Sequence, residues 1–169
     1  MTHLSLHTIA AESLQIPGAD PWHANPHDPA VTVMTDFRER ASVTVIETAT
    51  IDSALEHMKH AGVRSAFAID AERQVVVGLI TAYDITSEKP MRLLHTPRHE
   101  VLVRDVMERI ADWRVIDFAA LEHATVAAVA HLFEESRRTH IPVMEKNERG
   151  TITLRGLLSS ARVRKLLSH

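Results

Sequence analysis

Thr81 and Asp84 stand three residues apart in the stretch GLITAYDI (Gly78–Ile85), where one apolar run ends and another begins. A hydroxyl followed by a carboxylate at that spacing admits two kinds of chemistry. In the first, Thr81 caps a helix and Asp84 is an acid favoured by the positive end of the helix dipole. In the second, the pair grips a ligand that carries hydroxyls. A carboxylate accepts O–H bonds, and its charge raises their net worth to about 1.5–3 kcal/mol each. The octapeptide leaves both open.

Other constellations are thinner. Twelve histidines invite a metal site. His57 and His60 lie three apart and can share a helix face, but a divalent ion needs a third ligand and no HExxH pattern supplies one. His3, His7, His23 and His27 fall in or near the N-terminal stretch, where metal binding would be adventitious. No GxSxG elbow, phosphate loop or GxGxxG fingerprint occurs, and five glycines are few for phosphate-cradling loops. The absence of cysteine excludes disulfides, thiolate metal sites and a cysteine nucleophile, and suits a reducing compartment. No catalytic residue, no metal and no required cofactor is therefore assigned.

A formal charge of -3 gives no general reason to bind nucleic acid or an anionic membrane. No apolar run approaches the roughly 18–20 residues that span a bilayer. No Lys or Arg precedes Arg38, so the basic region that opens a signal peptide is missing. The expectation is a soluble cytoplasmic protein that is not an enzyme.

The elements around Thr81 and Asp84 come in two copies. ATIDSALEHMKHAG reads as a helix capped by Thr50 and ended by Gly62, with Ile51, Ala54, Leu55 and Met58 on one face. ATVAAVAHLFEES repeats it with Thr125 as cap and Val126, Val129, Ala130 and Phe133 as the stripe. A short apolar strand follows each helix, SAFAID and HIPVME, then a polar turn, AERQ and EKNERG. A second strand closes each copy in a matched signature, VVVGLITAYDI and TITLRGLLSSARV. Matching lead-ins, VTVMTDF and VRDVMER, precede the two copies, so each reads strand, helix, strand, strand, helix. The short turns predict antiparallel hairpins and the helices predict crossovers between parallel strands. A unit of this size is marginal alone, so the two should pack sheet to sheet around one core.

Ahead of them, Pro17, Pro21, Pro26 and Pro29 are four of the chain's seven prolines, a density hostile to helix and central strand. Residues 1–30 read as an extended arm with a short helix around Thr8–Gln15 and Trp22 as an anchor to the body or a partner, or else as a poorly ordered tail.

The duplicated pattern resembles a tandem pair of cystathionine-β-synthase (CBS) domains, a free-standing Bateman module. In that family the second strand commonly reads apolar-Pro-Val-apolar-acidic. IPVME (Ile141–Glu145) fits this, and AFAID (Ala66–Asp70) fits with Phe67 in place of proline. GLITAYD matches the closing signature at every defined position. The resemblance implies an α/β (α+β) fold of two β-α-β-β-α repeats related by a pseudo-two-fold axis, here 31–95 and 96–169. It further implies a regulatory role, a homodimer, an unidentified protein effector, and an adenosine-containing ligand such as AMP, ATP or S-adenosylmethionine held in clefts between the repeats.

Carried onto this chain, the resemblance makes Thr81 and Asp84 a clamp on the ribose diol. It assigns the base to the main chain of Ser65 and Ala66 and to the side chains of Val43 and Val45, with Phe67 crowding or stacking on the ring. Arg64 is placed to meet phosphate or to remain a solvated arginine. The second cleft would use His140, Ile141, Pro142 and Ser159, but Arg162 stands where the acid belongs, and a guanidinium cannot accept a hydrogen bond. Either that cleft has lost nucleoside binding, or Arg162 serves the phosphate of a ligand held by the first copy. His140 either touches a ligand or is structural. The last stretch holds Arg155, Arg162, Arg164 and Lys165 without an acid, which favours anionic ligands or partners or is simply a solvated helix face. The rival expectation is a homodimeric scaffold whose clefts bind nothing, working through its arm and its basic last helix.

Overall fold

The computed structural model describes residues 4–8, 15, 22–87 and 95–168. Residues 9–14 of the expected arm helix lie outside them. The first copy runs β2 (Thr44–Ile46), α1 (Ile51–Ala61), β3 (Ser65–Asp70), β4 (Val75–Thr81) and α2 (Ala82–Thr86). The second runs β6 (Ile116–Asp117), α4 (Phe118–Leu121), α5 (Val126–Ser136), β7 (His140–Lys146), β8 (Ile152–Ser159) and α6 (Ser160–Leu167). Ahead of the copies lie β1 (Thr35–Asp36) and, after a turn of helix α3 (Val103–Val106), β5 (Glu108–Arg109).

Local chemistry sets these boundaries. Thr50 Oγ1 accepts the Ser53 N–H at 3.2 Å, and Gly62 closes α1 in the left-handed conformation, φ 69°. Thr125 caps α5 in the same way through the Ala128 N–H at 3.3 Å. Its C-terminal cap is Arg137, which takes φ 54° where glycine would be strain-free. Each helix carries its chain between parallel neighbours, β2 beside β3 and β6 beside β7, and each turn makes an antiparallel hairpin, β3–β4 and β7–β8. Asp70 Oδ1 holds the first turn by accepting the N–H groups of Glu72 and Arg73, and Asn147 Oδ1 holds the second through those of Arg149 and Thr151. The mixed α+β architecture is the expected one.

The lead-ins cross over between the copies. The two sheets run β1-β8-β7-β6 and β2-β3-β4-β5. The strand ahead of the first copy therefore joins the sheet of the second, and the strand ahead of the second joins the sheet of the first. Pro29 bridges Thr125 and Leu102 bridges Thr50, so each lead-in also meets the other copy's helix cap. Gly78 and Gly156 are the contact points. A Cβ on Gly156 would lie 2.6 Å from Met34 Sδ and from the Thr35 carbonyl oxygen; one on Gly78 would meet Met107 Sδ and the Glu108 carbonyl. Residues 24–34 accordingly contribute Ala24, Ala30, Val33 and Met34 to the core formed by α5, α6 and β7. Trp22 is 83% exposed.

Three apolar clusters result. Two lie between a sheet and its helices, built on Ile51, Met58, Ile80 and Ile85 in one and on Val126, Val129, Ile141 and Leu158 in the other. The third joins the copies: Phe67, Leu79 and Leu157, packed with Phe37 and Trp113.

Candidate functional site

Strand β4 ends at Thr81, and α2 begins at once. Thr81 Oγ1 accepts the Asp84 N–H at 3.1 Å, while Asp84 Oδ2 accepts the Thr81 N–H at 3.1 Å and the Thr81 hydroxyl at 2.8 Å. This is a complete capping box, so the helix-punctuation chemistry is present. It spends the Thr81 hydroxyl. It does not spend the whole carboxylate, because every hydrogen bond of Asp84's side chain among the described residues falls on Oδ2. Oδ1 retains its acceptor capacity. The helix start is partly closed: the Ala82 N–H donates to the Arg64 carbonyl at 2.8 Å, and the Asp84 N–H is in the box.

The second copy reproduces the arrangement with one change. The Ser160 N–H donates to the Thr139 carbonyl at 2.9 Å, and Ser159 Oγ accepts the Arg162 N–H at 3.5 Å. Arginine cannot return the bond, so only half a box forms. The guanidinium Nε of Arg162 is buried and the residue as a whole is half-buried, so it is not a fully solvated position of α6.

His140 opens β7, paired with Ser159 as Ser65 in β3 is paired with Thr81. It is half-buried, with Nδ1 3.0 Å from Thr139 Oγ1. Burial pushes its imidazole below the ordinary histidine range, and the negative charge of Asp84 opposes that shift. The charge of a carboxylate from the first copy is thus felt at an imidazole from the second. Nothing in the sequence spacing announces that proximity.

The remaining expected ligand residues are placed as follows. Val45 is buried in the helix-side core of the first copy, Val43 packs against it, and the Val43 carbonyl accepts the Phe67 N–H at 2.9 Å. The Ala66 side chain is buried in the same core, Ser65 is half-buried, and Arg64 is exposed. Phe67 is 2% exposed; its ring meets Phe37 edge-on at 5.5 Å and Trp113 at 5.9 Å between the sheets. In the second copy Ile141 and Pro142 are buried. Among the described residues no group of three His, Cys, Asp or Glu could hold a metal; His57 and His60 are exposed on α1.

Arg155 departs from the basic-tail expectation. It is bidentate to Asp36 at 3.0 Å for both bonds, pairs with Glu145 at 3.0 Å, and lies 3.9 Å over the Phe118 ring. These contacts spend its charge inside the fold, and its hydrogen bonds hold the Asp36 carboxyl below the usual carboxylate range.

Two packed sheets, each built on one β-α-β-β-α copy, completed by the other copy's lead-in strand and ending in a polar helix cap, define an internally duplicated α+β protein. The sequence model of the CBS domain family matches residues 31–90 and 103–169; the chain belongs to the CBS domain family. Its fold is similar to that of an uncharacterized conserved protein from Pyrococcus horikoshii, at TM-score 0.59 and 20% identity over 84% of this chain and 93% of that one. It is also similar to the CBS-pair protein CBSX2 from Arabidopsis thaliana, at TM-score 0.53 and 20% identity over 83% and 94%. CBSX2 has also been crystallised in complex with AMP. A hexameric CBS-CP12 protein from bloom-forming cyanobacteria matches at TM-score 0.55 and 23% identity, over 80% of this chain and 65% of that one. No curated protein matches the chain at a significant level. None of the described helices is long and apolar enough to cross a membrane.

Proposed function

We propose that the chain is a cytoplasmic regulatory sensor, not a catalyst, that binds one adenine nucleotide or related adenosyl ligand per chain between its two copies and works as a homodimer. The observation that carries this reading is Asp84: a carboxylate whose Oδ1 takes no hydrogen bond from the described residues and whose charge reaches His140 of the other copy. In this reading Asp84 Oδ1 accepts from the ribose diol, and the main chain at Ser65 and Ala66 faces the base. His140 and Arg64 stand on the phosphate side. Occupancy biases the packing of the copies by as much as the ligand's affinity differs between two arrangements. The AMP complex of CBSX2 supports the ligand class.

A second reading, a scaffold with silent clefts, draws on Arg162 in the acid's place and on Phe67 buried between the sheets. Melting the protein with AMP, ATP, S-adenosylmethionine and adenosine separates the two. A ligand at a hundred times its Kd adds about 2.7 kcal/mol of stability. A rise with any of them, followed by a calorimetric stoichiometry of one per chain, supports the sensor. A flat response to all four supports the scaffold.

A further inference from the structure

Two features of the sequence stand apart from Asp84 and His140: the N-terminal arm and the C-terminal half of the basic last helix. The fold puts them side by side. The Ala24 N–H donates to the Leu166 carbonyl at 2.9 Å, so the arm leaves the body beside the C-terminal end of α6. Along that helix runs a groove of about 540 Å³ between α5 and α6, floored by Phe133 and Val163 and edged by Arg137 and Arg164. Eight helical residues make it about 12 Å long. Arg137 and Arg164 make no ion pair with any described residue, and Glu134 is the one acid in the described lining. Arg137 also keeps its side chain at this edge despite a left-handed backbone that the first copy gives to Gly62.

The arm has the opposite character. Up to Trp22 it offers Leu4, Leu6, Ile9, Leu14 and Ile16, with Glu12 and Asp20 and no Lys or Arg. Leu4 and Leu6 are 91% and 103% exposed, so neither is packed against the described body of its own chain. We propose that the arm of one copy docks in the α5–α6 groove of a second copy, its leucines over Phe133 and Val163 and its acids against Arg137 and Arg164. The exchange is reciprocal, because a two-fold dimer presents two arms to two grooves. It does not depend on the cleft being occupied.

The test uses full-length chains. Leu4→Ser with Leu6→Ser disables the arm, and Arg137→Glu with Arg164→Glu disables the groove; all four side chains are exposed, and circular dichroism checks that each variant folds. Sedimentation equilibrium should show a wild-type dimer and at least a tenfold weaker one for each variant. Mixing the two variants should restore a heterodimer held by one exchange. Adding Glu12→Lys and Asp20→Lys to the groove variant should recover its homodimer. Dimerisation unchanged in both variants overturns the exchange. So does a monomeric wild type, including one whose Trp22 fluorescence shifts on groove reversal, which would put the arm in its own groove.

Discussion

Asp84→Asn separates the two roles of the residue. The structure lets the structural share be worked out first. The asparagine side-chain carbonyl can stand where Oδ2 stands and accept from the Thr81 N–H and hydroxyl, now at 3.1 and 2.8 Å. What the cap loses is negative charge near a helix start, about 0.3–1 kcal/mol, or a fall in Tm of about 1–4 °C for a chain of this size. The ligand share is larger. An amide N–H₂ replaces Oδ1 and cannot accept from a diol. Losing a charge-assisted bond of about 1.5–3 kcal/mol weakens binding roughly ten- to a hundredfold. The assay is calorimetric titration of wild type and Asp84→Asn with AMP and with 2′,3′-dideoxy-AMP. If the carboxylate holds the diol, the dideoxy ligand binds wild type weakly and is almost indifferent to the substitution. Equal weakening of both ligands by Asp84→Asn would refute the diol contact and leave only a general field effect. Equal affinity for AMP in both proteins would refute the clamp altogether. Asp84→Ala is the contrasting control, since it also removes the cap at about 0.5–2 kcal/mol.

Three further predictions concern the frame around that residue. Gly156→Ala puts a methyl group 2.6 Å from the Thr35 carbonyl, about 0.8 Å inside ordinary contact; β1 must move, and urea denaturation should show a loss of about 1–3 kcal/mol, whereas no loss would mean that the lead-in is not held against β8. Arg155→Met leaves Asp36 and Glu145 without their shared cation at a site where the arginine side chain is 11% exposed, and should cost about 2–4 kcal/mol near neutral pH. Because the Asp36 carboxyl is held low, that difference persists above its ordinary range and shrinks as pH falls through and below about 4, measured by denaturation at stepped pH. His140 is held low by burial, so below its ordinary value of 6.5 the unfolded chain takes the proton first. Its contribution is complete above about pH 6.5 and declines as pH drops towards the folded value, with a slope of at most about 1.4 kcal/mol per unit. His140→Gln should flatten that part of the wild-type stability profile, and superimposable profiles would place the imidazole in solvent.

The duplicated helices, hairpins and caps were legible because each rests on local chemistry: Thr50 and Thr125 cap, Gly62 terminates, and apolar residues at helical spacing build the stripes. The exchange of lead-ins was not legible. A strand of two residues, Thr35–Asp36 or Glu108–Arg109, has no period to read, and its partner lies more than a repeat away. Gly78 and Gly156 carried a signal that only coordinates decode, since a glycine required for close backbone approach looks like any other. Arg155 illustrates the same limit. Its bonds to Asp36 span 119 residues, so the sequence presented a basic tail where the fold has a satisfied ion pair. That Phe67 joins the packing between the sheets was not legible either: alternation along β3 sends it to the face opposite Ala66 and Ala68.

The same topology bears on how a ligand at Asp84 and His140 would be felt. Neither copy owns a complete sheet, so separating them requires breaking β1 from β8 and β5 from β4, not merely sliding one face over another. Arg138, two residues before His140, pairs with Glu108 of β5 at 2.8 Å, and the Glu108 carbonyl accepts the Trp113 indole N–H at 3.0 Å. Glu108 in turn lies opposite Leu79, two residues before Thr81. Strand β5 therefore touches both the chain leading into His140 and the strand leading into Thr81. Spatial continuity alone is not coupling. Its weakest link is nevertheless identifiable: β5 holds on by two residues, while β3 and β4 pair over six positions. Elements with the fewest backbone bonds open at the lowest free energy. Were a ligand to bias the packing of the copies, β5 is the element that would yield at the least cost.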